Sequence, residues 1–235
     1  INSQGRNVVI QGRNDQASLD LLSNSLKFTG SSAWNLVFKN LQLATGNSKG
    51  AVDLSSTTGA NTVTFENVKS QGSSLYGGGG NTDVIVKGET SSTVSDSYRS
   101  ANGQTQYVQR NVGSAGHSVL RREANIHDAK SVTVADGASL TLNRSSQGDG
   151  INLAGGSTVR VNDGASLTIN MNTDNGTESA RYHNAGIFME HGGTVVTGKD
   201  SKLTLNTSIG QAISLGMGRP ADGLTHLDRW GGYGT

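Results

Sequence analysis

The sequence predicts an all-β protein wound as a right-handed parallel β-helix, a β-solenoid with coils of about 27 residues. Three observations predict it. First, one phrase recurs: SerValThrValAlaAspGlyAlaSerLeuThrLeu at 131–142 returns as SerThrValArgValAsnAspGlyAlaSerLeuThrIle at 157–169, and more loosely as ThrValValThrGlyLysAspSerLysLeuThrLeu at 194–205. Second, the spacing is regular: Val132 and Leu140 recur at Val159 and Leu167, a step of 27, and then at Val195 and Leu203, a step of 36. Third, the apolar residues of each copy alternate with Thr, Ser, Asn and Arg, which puts them on one face of short strands. Such strands bury that face only by stacking on further copies of themselves.

Taken in order, Val8, Val9 and Ile10 begin the first coil. Leu19, Leu21 and Leu22 are expected to form an amphipathic cap over the open N-terminal end, since an uncovered strand edge recruits other chains. Leu36, Phe38, Asn40 and Leu41 are answered, again at a step of 27, by Val63, Phe65, Asn67 and Val68. The two asparagines predict an internal ladder, with side-chain amides bonding from coil to coil. Val84, Ile85 and Val86 form another strand. Residues 90–125 are expected to be an irregular excursion, because Thr90 to Arg110 has few apolar anchors. Within it, His117–Asn125 is expected to be the irregular counterpart of Ile151–Gly156, which would stack Arg121 and Arg122 near Ala154 and Gly155.

Each copy of the repeated phrase is followed by a second apolar pair: Ile151 and Leu153, Ile187 and Met189, Ile213 and Leu215. Asp136, Asp163 and Asp200 are read as equivalent turn residues, a role their short polar side chains favour. The step from Leu142 to Ile151 is 9 and that from Leu205 to Ile213 is 8, but that from Ile169 to Ile187 is 18. One loop, 171–184, is therefore inserted into an otherwise regular coil. Arg219–Thr235 departs from the repeat and is expected to be a C-terminal cap or a linker.

Composition fits this architecture. The 235 residues include 33 glycines, one proline and no cysteine, with 33% apolar and 5% aromatic residues. A solenoid needs only a thin inner column, whereas a compact domain of this size buries a wider core. There is no disulfide framework and no apolar run of ~20 residues to cross a membrane. A formal net charge of +1 argues against a nucleic-acid partner. The whole of 1–235 is expected to be a single solenoid domain, and its start at Ile1 suggests a piece of a longer protein.

The run GlyIleAsnLeuAlaGlyGlySerThrValArgValAsnAspGlyAlaSerLeuThrIle, with AlaGlyIlePheMetGluHisGlyGly one coil later, resembles the pectate-lyase-like adhesive domain of Gram-positive cell-surface adhesins. It is similar in particular to the binding regions of serine-rich-repeat glycoproteins of lactobacilli. The likeness is best over Asp128–Gly218 and weaker over Trp34–Gly88. It implies a non-catalytic β-solenoid outside the cell, attached to the cell wall, that binds host mucin glycans or plant pectin, in some cases with pH dependence.

An enzyme on the same fold is the rival reading, since fold alone does not settle function. A lyase would need acids gathered on one strand face to hold calcium, which takes 6–8 oxygens, and here the acids are dispersed. A polygalacturonase would carry AsnThrAsp, paired aspartates, GlyHisGly and ArgIleLys in order, because inversion needs an acid and a base flanking a water. This chain has AsnThrAsp at 172–174 and HisGlyGly at 191–193, but Asp149 precedes the first and ArgIleLys is missing. A structural spacer is the third class. For an adhesin, the candidates are long polar side chains on neighbouring connections: Arg121, Arg122, Arg144, Arg181, Tyr182, His183 and Arg219. An arginine fork meets a sugar carboxylate with two parallel hydrogen bonds, and tyrosine packs on a sugar's apolar face. His117, His183 and His191 would strengthen capture of an anionic glycan as the pH falls. No cofactor or metal is expected, and the partner is a polysaccharide or glycoprotein glycan, acidic sugars favoured, bound by a monomer.

Overall fold

The computed structural model describes residues 7–14, 16–109, 124–146, 148–172, 185–190, 192–208 and 211–216, and structural statements below concern these. The alternating segments form strands that pair in parallel with their counterparts in the next turn of the chain. The first turn holds β1 (Asn7–Gln11), β2 (Ser18–Asp20) and β3 (Leu26–Gly30). Next come β4 (Asn35–Thr45) and β5 (Val52–Thr57), then β6 (Asn61–Gly72) and β7 (Tyr76–Gly77). The fourth turn holds β8 (Thr82–Lys87), β9 (Glu89–Val94), a hairpin of β10 (Ser97–Arg99) and β11 (Thr105–Tyr107), and β12 (Ala124–His127). Three regular turns follow: β13 (Ser131–Val134), β14 (Ser139–Arg144) and β15 (Asp149–Leu153); β16 (Ser157–Val161), β17 (Ser166–Met171) and β18 (Ala185–Glu190); β19 (Gly193–Thr197), β20 (Lys202–Thr207) and β21 (Gln211–Gly216).

These strands build an all-β solenoid with three parallel faces. The first runs β1, β4, β6, β8, β13, β16, β19, and the second β2, β4, β6, β9, β14, β17, β20. The long strands β4 and β6 span both, bending at Asn40 and Asn67. The third face is β3, β5, β7, β12, β15, β18, β21. Apolar side chains from all three faces meet in one column. On the first face Leu36, Val63, Val84, Val132 and Val159 stack in register, each fully buried. On the third, Val52, Tyr76, Ile126, Ile151 and Ile187 do the same. The stacked rings of Phe38 and Phe65, centroids 5.5 Å apart and planes 22° from parallel, continue the stacking.

The pairings of the 131–215 repeat follow the predicted register residue by residue, including Ile151 with Ile187 and Ile187 with Ile213. A step of 27 separates Asn35 from Thr62, Val132 from Val159 and Leu140 from Leu167. It is not universal: Thr62 pairs with Asp83, a step of 21, and Val84 pairs with Val132, a step of 48. Between β17 and β20 the step is 36, and between β18 and β21 it returns to 26 (Ile187 to Ile213). The extra residues therefore fall between Met171 and Ala185, as the spacing predicts.

The corner between the first two faces shows how the chain turns. Asn40 (φ 51°) and Asn67 (φ 53°) take left-handed backbone there, and Gly88 (φ 57°) does so in the next turn. Later turns place Gly137, Gly164 and Asp200 in that conformation, a position that L residues other than Asn and Asp rarely accept. Gly164 and Asp200 are equivalent by register, so the partner of Asp136 and Asp163 is Lys199, and the reading of Asp200 as their equivalent is corrected by one residue. The asparagine ladder exists, with Asn67 Nδ2 donating to Asn40 Oδ1 at 3.0 Å, but it is solvent-facing rather than internal. A second, unpredicted ladder runs Asn206 to Asn170 to Asn143, each Nδ2 donating to the next Oδ1 at 2.8 Å.

Three other expectations are corrected. Residues 18–20 form a strand on β4 rather than an end cap, and Leu22 is 43% exposed. Residues 89–94 are not outside the coil but form β9, a full rung between β6 and β14. The misreading has a cause: the inward positions of β9 hold Thr90 and Ser92, polar yet buried, with Asn125 Nδ2 donating to Ser92 O and Oγ at 3.1 Å. The true excursion includes the hairpin β10–β11. Finally, the counterpart of Ile151 is Ile126 on β12, a few residues later than the segment 117–125.

Candidate functional site

The outward side of the second face carries two polar rows along the solenoid axis. Register aligns Ser18, Gln42, Lys69, Ser91, Thr141, Thr168 and Thr204 in one row. The neighbouring row is Asp20, Ala44, Gln71, Thr93, Asn143, Asn170 and Asn206. Alternation makes this inevitable: the same strands that send Leu43, Leu142 and Ile169 inward send the residues on either side outward.

Over the first four rungs the hairpin β10–β11 stands beside these rows and turns the flat face into a groove of about 490 Å³. The floor is Ser18, Asp20, Gln42, Lys69, Gln71, Ser91 and Thr93, and the wall is Ser95, Ser97, Tyr98, Arg99 and Ala101. Asp20 fixes the wall. Its Oδ1 accepts from Tyr98 Oη at 2.9 Å and from Leu22 N–H at 3.1 Å, and its Oδ2 accepts from Ala101 N–H at 2.8 Å. Burial alone would raise the Asp20 carboxyl, but the bonds from Ala101, Leu22 and Tyr98 outweigh it and hold it below the usual carboxylate range. Burial, then the bond to Asp20, pushes the Tyr98 hydroxyl well up, so it stays a donor.

Gly72 makes room for this contact. A Cβ there would meet Thr45 O and come within 2.7 Å of Tyr98 Cδ1, and its φ of +95° excludes most side chains independently. At the hairpin's far end Gln109 N–H donates to Gly46 O at 2.6 Å. Arg99 is steadied by donation from Nη1 to Gly103 O at 2.8 Å, and Gln71 Nε2 reaches Arg99 O at 3.4 Å. The groove thus presents hydroxyls, amides and Lys69 on a floor of parallel-paired strands, and Arg99 on the antiparallel hairpin that forms its wall.

Of the candidates read from the sequence, Arg121, Arg122, Arg181, Tyr182, His183 and Arg219 lie outside the described residues, as do His117 and His191. Arg144 is corrected: it is 2% exposed, and its Nε donates to Ser146 O at 3.0 Å, so its guanidinium braces the corner after β14 rather than meeting a ligand. Asp149, weighed as a hydrolase carboxylate, is fully buried. Its Oδ1 accepts from Ala185 N–H at 2.8 Å and its Oδ2 from Asn152 Nδ2 at 2.6 Å, which ties β15 to β18. Sequence reasoning missed the groove because Asp20, Lys69 and Arg99 belong to three different turns and share no motif. The one signal was the break in the repeat after Val94.

Residues 1–76 match the family of pectate lyase-like adhesive domains. The match falls at the opposite end of the chain from the stretch where the sequence carries its strongest likeness. No curated protein sequence matches the chain. Among solved structures, an SRRP of L. reuteri 100-23 superimposes with a TM-score of 0.69 at 17% identity, covering 91% of this chain and 62% of that one. An SRRP of L. reuteri 53608 does so with a TM-score of 0.54, also at 17% identity, covering 91% of this chain and 85% of that one. The chain is thus similar over its first 76 residues to pectate lyase-like adhesive domains, and over 91% of its length it shares the fold of these two L. reuteri SRRPs.

Proposed function

We propose that this chain is the polysaccharide-binding domain of a bacterial cell-surface adhesin, and that it binds without cleaving. The observation that carries this reading is the groove on the second face, with a rigid floor of Ser, Thr, Gln and Lys side chains and a hairpin wall bearing Arg99. Rows of hydrogen-bonding groups at the ~4.8 Å strand spacing suit an extended sugar chain better than a compact metabolite. The adhesive-domain match and the SRRP folds support the same role. We read the solenoid as a right-handed parallel β-helix, the hand that parallel crossover connections take, with a basic coil of about 27 residues set by the regular pairings. Its place is outside a Gram-positive cell, fixed to the wall through regions of a longer parent, and it acts as a monomer on mucin-type or pectin-like glycans. Arg121, Arg122, Arg181, Tyr182, His183 and Arg219 are the sequence's further candidates for contacting that glycan.

Retention on immobilised mucin and polygalacturonate, at pH 4 and pH 7 and with the supernatant assayed for released or unsaturated sugars, tests the reading. Retention without products is expected, stronger at pH 4 if His117, His183 and His191 contribute. Released products would replace the adhesin with a pectin-degrading enzyme, and neither retention nor products would leave a structural spacer.

A further inference from the structure

The distribution of charge along the two polar rows says more about the ligand than the groove alone does. Lys69 and Arg99 both line the groove, and neither forms an ion pair among the described residues. Asp20 is the one carboxylate in the lining, and its two oxygens already hold Leu22, Tyr98 and Ala101. Beyond Ser91 and Thr93 the rows continue as Thr141 and Asn143, Thr168 and Asn170, Thr204 and Asn206, all neutral. The third outward row of this face, Glu89, Ser139, Ser166 and Lys202, adds an acid beside Ser91 and a cation only at the last rung, so the two strand steps between them, about 10 Å of surface, offer hydroxyls and amides and no counter-charge. The Asn amides are also committed to one another, so they present a uniform edge of neutral donors and acceptors.

The groove is also directional. At the first rung, Tyr98 and Ala101 of the wall are stitched to Asp20 of the floor, which closes that end. Towards β14 the hairpin ends and the rows run on as open face. A bound chain would lie along the open rows and end at the third rung, beside the two cations and short of the closed end.

Resting on the polysaccharide reading above, we infer that the ligand is a neutral glycan chain ending in a single anionic sugar, the anion seated between Lys69 and Arg99 and the neutral sugars on the Thr and Asn rows. A polyuronate fits the pattern poorly. It would set a carboxylate against nearly every rung, and most of those would lose water for neutral partners, an exchange that costs affinity. A single terminal carboxylate meets two cations in a concave part of the surface, where it can form charge-assisted bonds to both.

Calorimetric titration of the whole chain with three tetrasaccharides tests this: a neutral trisaccharide capped by one sialic acid, a neutral tetrasaccharide with no acidic sugar, and tetragalacturonate. The sialylated chain is expected to bind about tenfold or more tighter than the other two. Lys69→Gln with Arg99→Gln should erase the difference while leaving the melting temperature in place, since both side chains are exposed. Tetragalacturonate binding as tightly as the sialylated chain, or a double variant with undiminished preference, would overturn the inference and leave the polysaccharide reading intact. Failure of all three to bind, in a protein that also fails to be retained on mucin and polygalacturonate, would overturn both.

Discussion

Asp20 is the point at which the groove is easiest to break without touching the solenoid. Replacing it with Ala removes the acceptor for Tyr98 Oη, Leu22 N–H and Ala101 N–H together. Each such bond contributes about 1 kcal/mol net. Only the Tyr98 and Ala101 bonds cross to the hairpin, and both end on a charged carboxylate, so together they contribute about 2 kcal/mol, which corresponds to roughly a thirtyfold change in the hairpin's opening equilibrium. That loss should be local. Asp20 and Leu22 lie in the first turn, and Tyr98 and Ala101 on the hairpin, while the inner column does not depend on the contact between them. Amide hydrogen exchange is the assay: residues 97–107 of Asp20→Ala should exchange roughly thirtyfold faster while β14 and β17 stay protected. The carboxyl's folded-state value lies below the ordinary 3.8, so its contribution is complete above that value and disappears as the pH falls through the lowered one. Wild-type hairpin exchange should accordingly rise, beyond the intrinsic pH effect, only below 3.8, and the variant should show no such step. Equal protection of 97–107 in wild type and variant at pH 7 would refute the claim that this carboxylate holds the wall.

The remaining predictions concern the frame and the insertion. Gly137→Ala should cost about 1 kcal/mol by urea denaturation, because a Cβ there meets nothing within 4 Å and the cost is that of a left-handed residue (φ +65°) alone; Gly137→Asn, copying Asn40 and Asn67, should cost clearly less. Leu142→Ala opens a cavity in the fully buried column and should destabilise by about 3 kcal/mol. Asp149→Ala should destabilise by a similar amount, about 3 kcal/mol, since it strands the Ala185 N–H and the Asn152 amide in the interior; a stable variant lacking only a sugar-cleaving activity would return Asp149 to a catalytic role. Arg181→Ala with Tyr182→Ala should reduce retention on glycan at unchanged melting temperature, and full retention would remove the 171–184 insertion from the binding surface.

What the sequence determined by itself is the solenoid. Each rung from Ser131 to Leu215 repeats the inward pattern of the one before, so stacking equivalent residues is the arrangement that buries Val132, Val159, Leu140 and Leu167 all at once, and a slip of one residue would turn every one of them to solvent. Where the pattern failed, a particular residue explains it. Thr90 and Ser92 occupy core positions with polar side chains, so β9 looks like loop until Asn125 and the neighbouring rungs are seen to satisfy them. Arg144 reads as a surface cation until the corner after β14 encloses it. The groove belongs entirely to the tertiary structure. Its wall stands where it does because Tyr98 reaches a carboxylate 78 residues earlier and rests on Gly72, contacts between unlike residues in different turns that no repeat encodes. A periodic sequence specifies what recurs, because the same burial is satisfied at every rung; a site made at the one place where the period breaks is decided only when the turns are stacked.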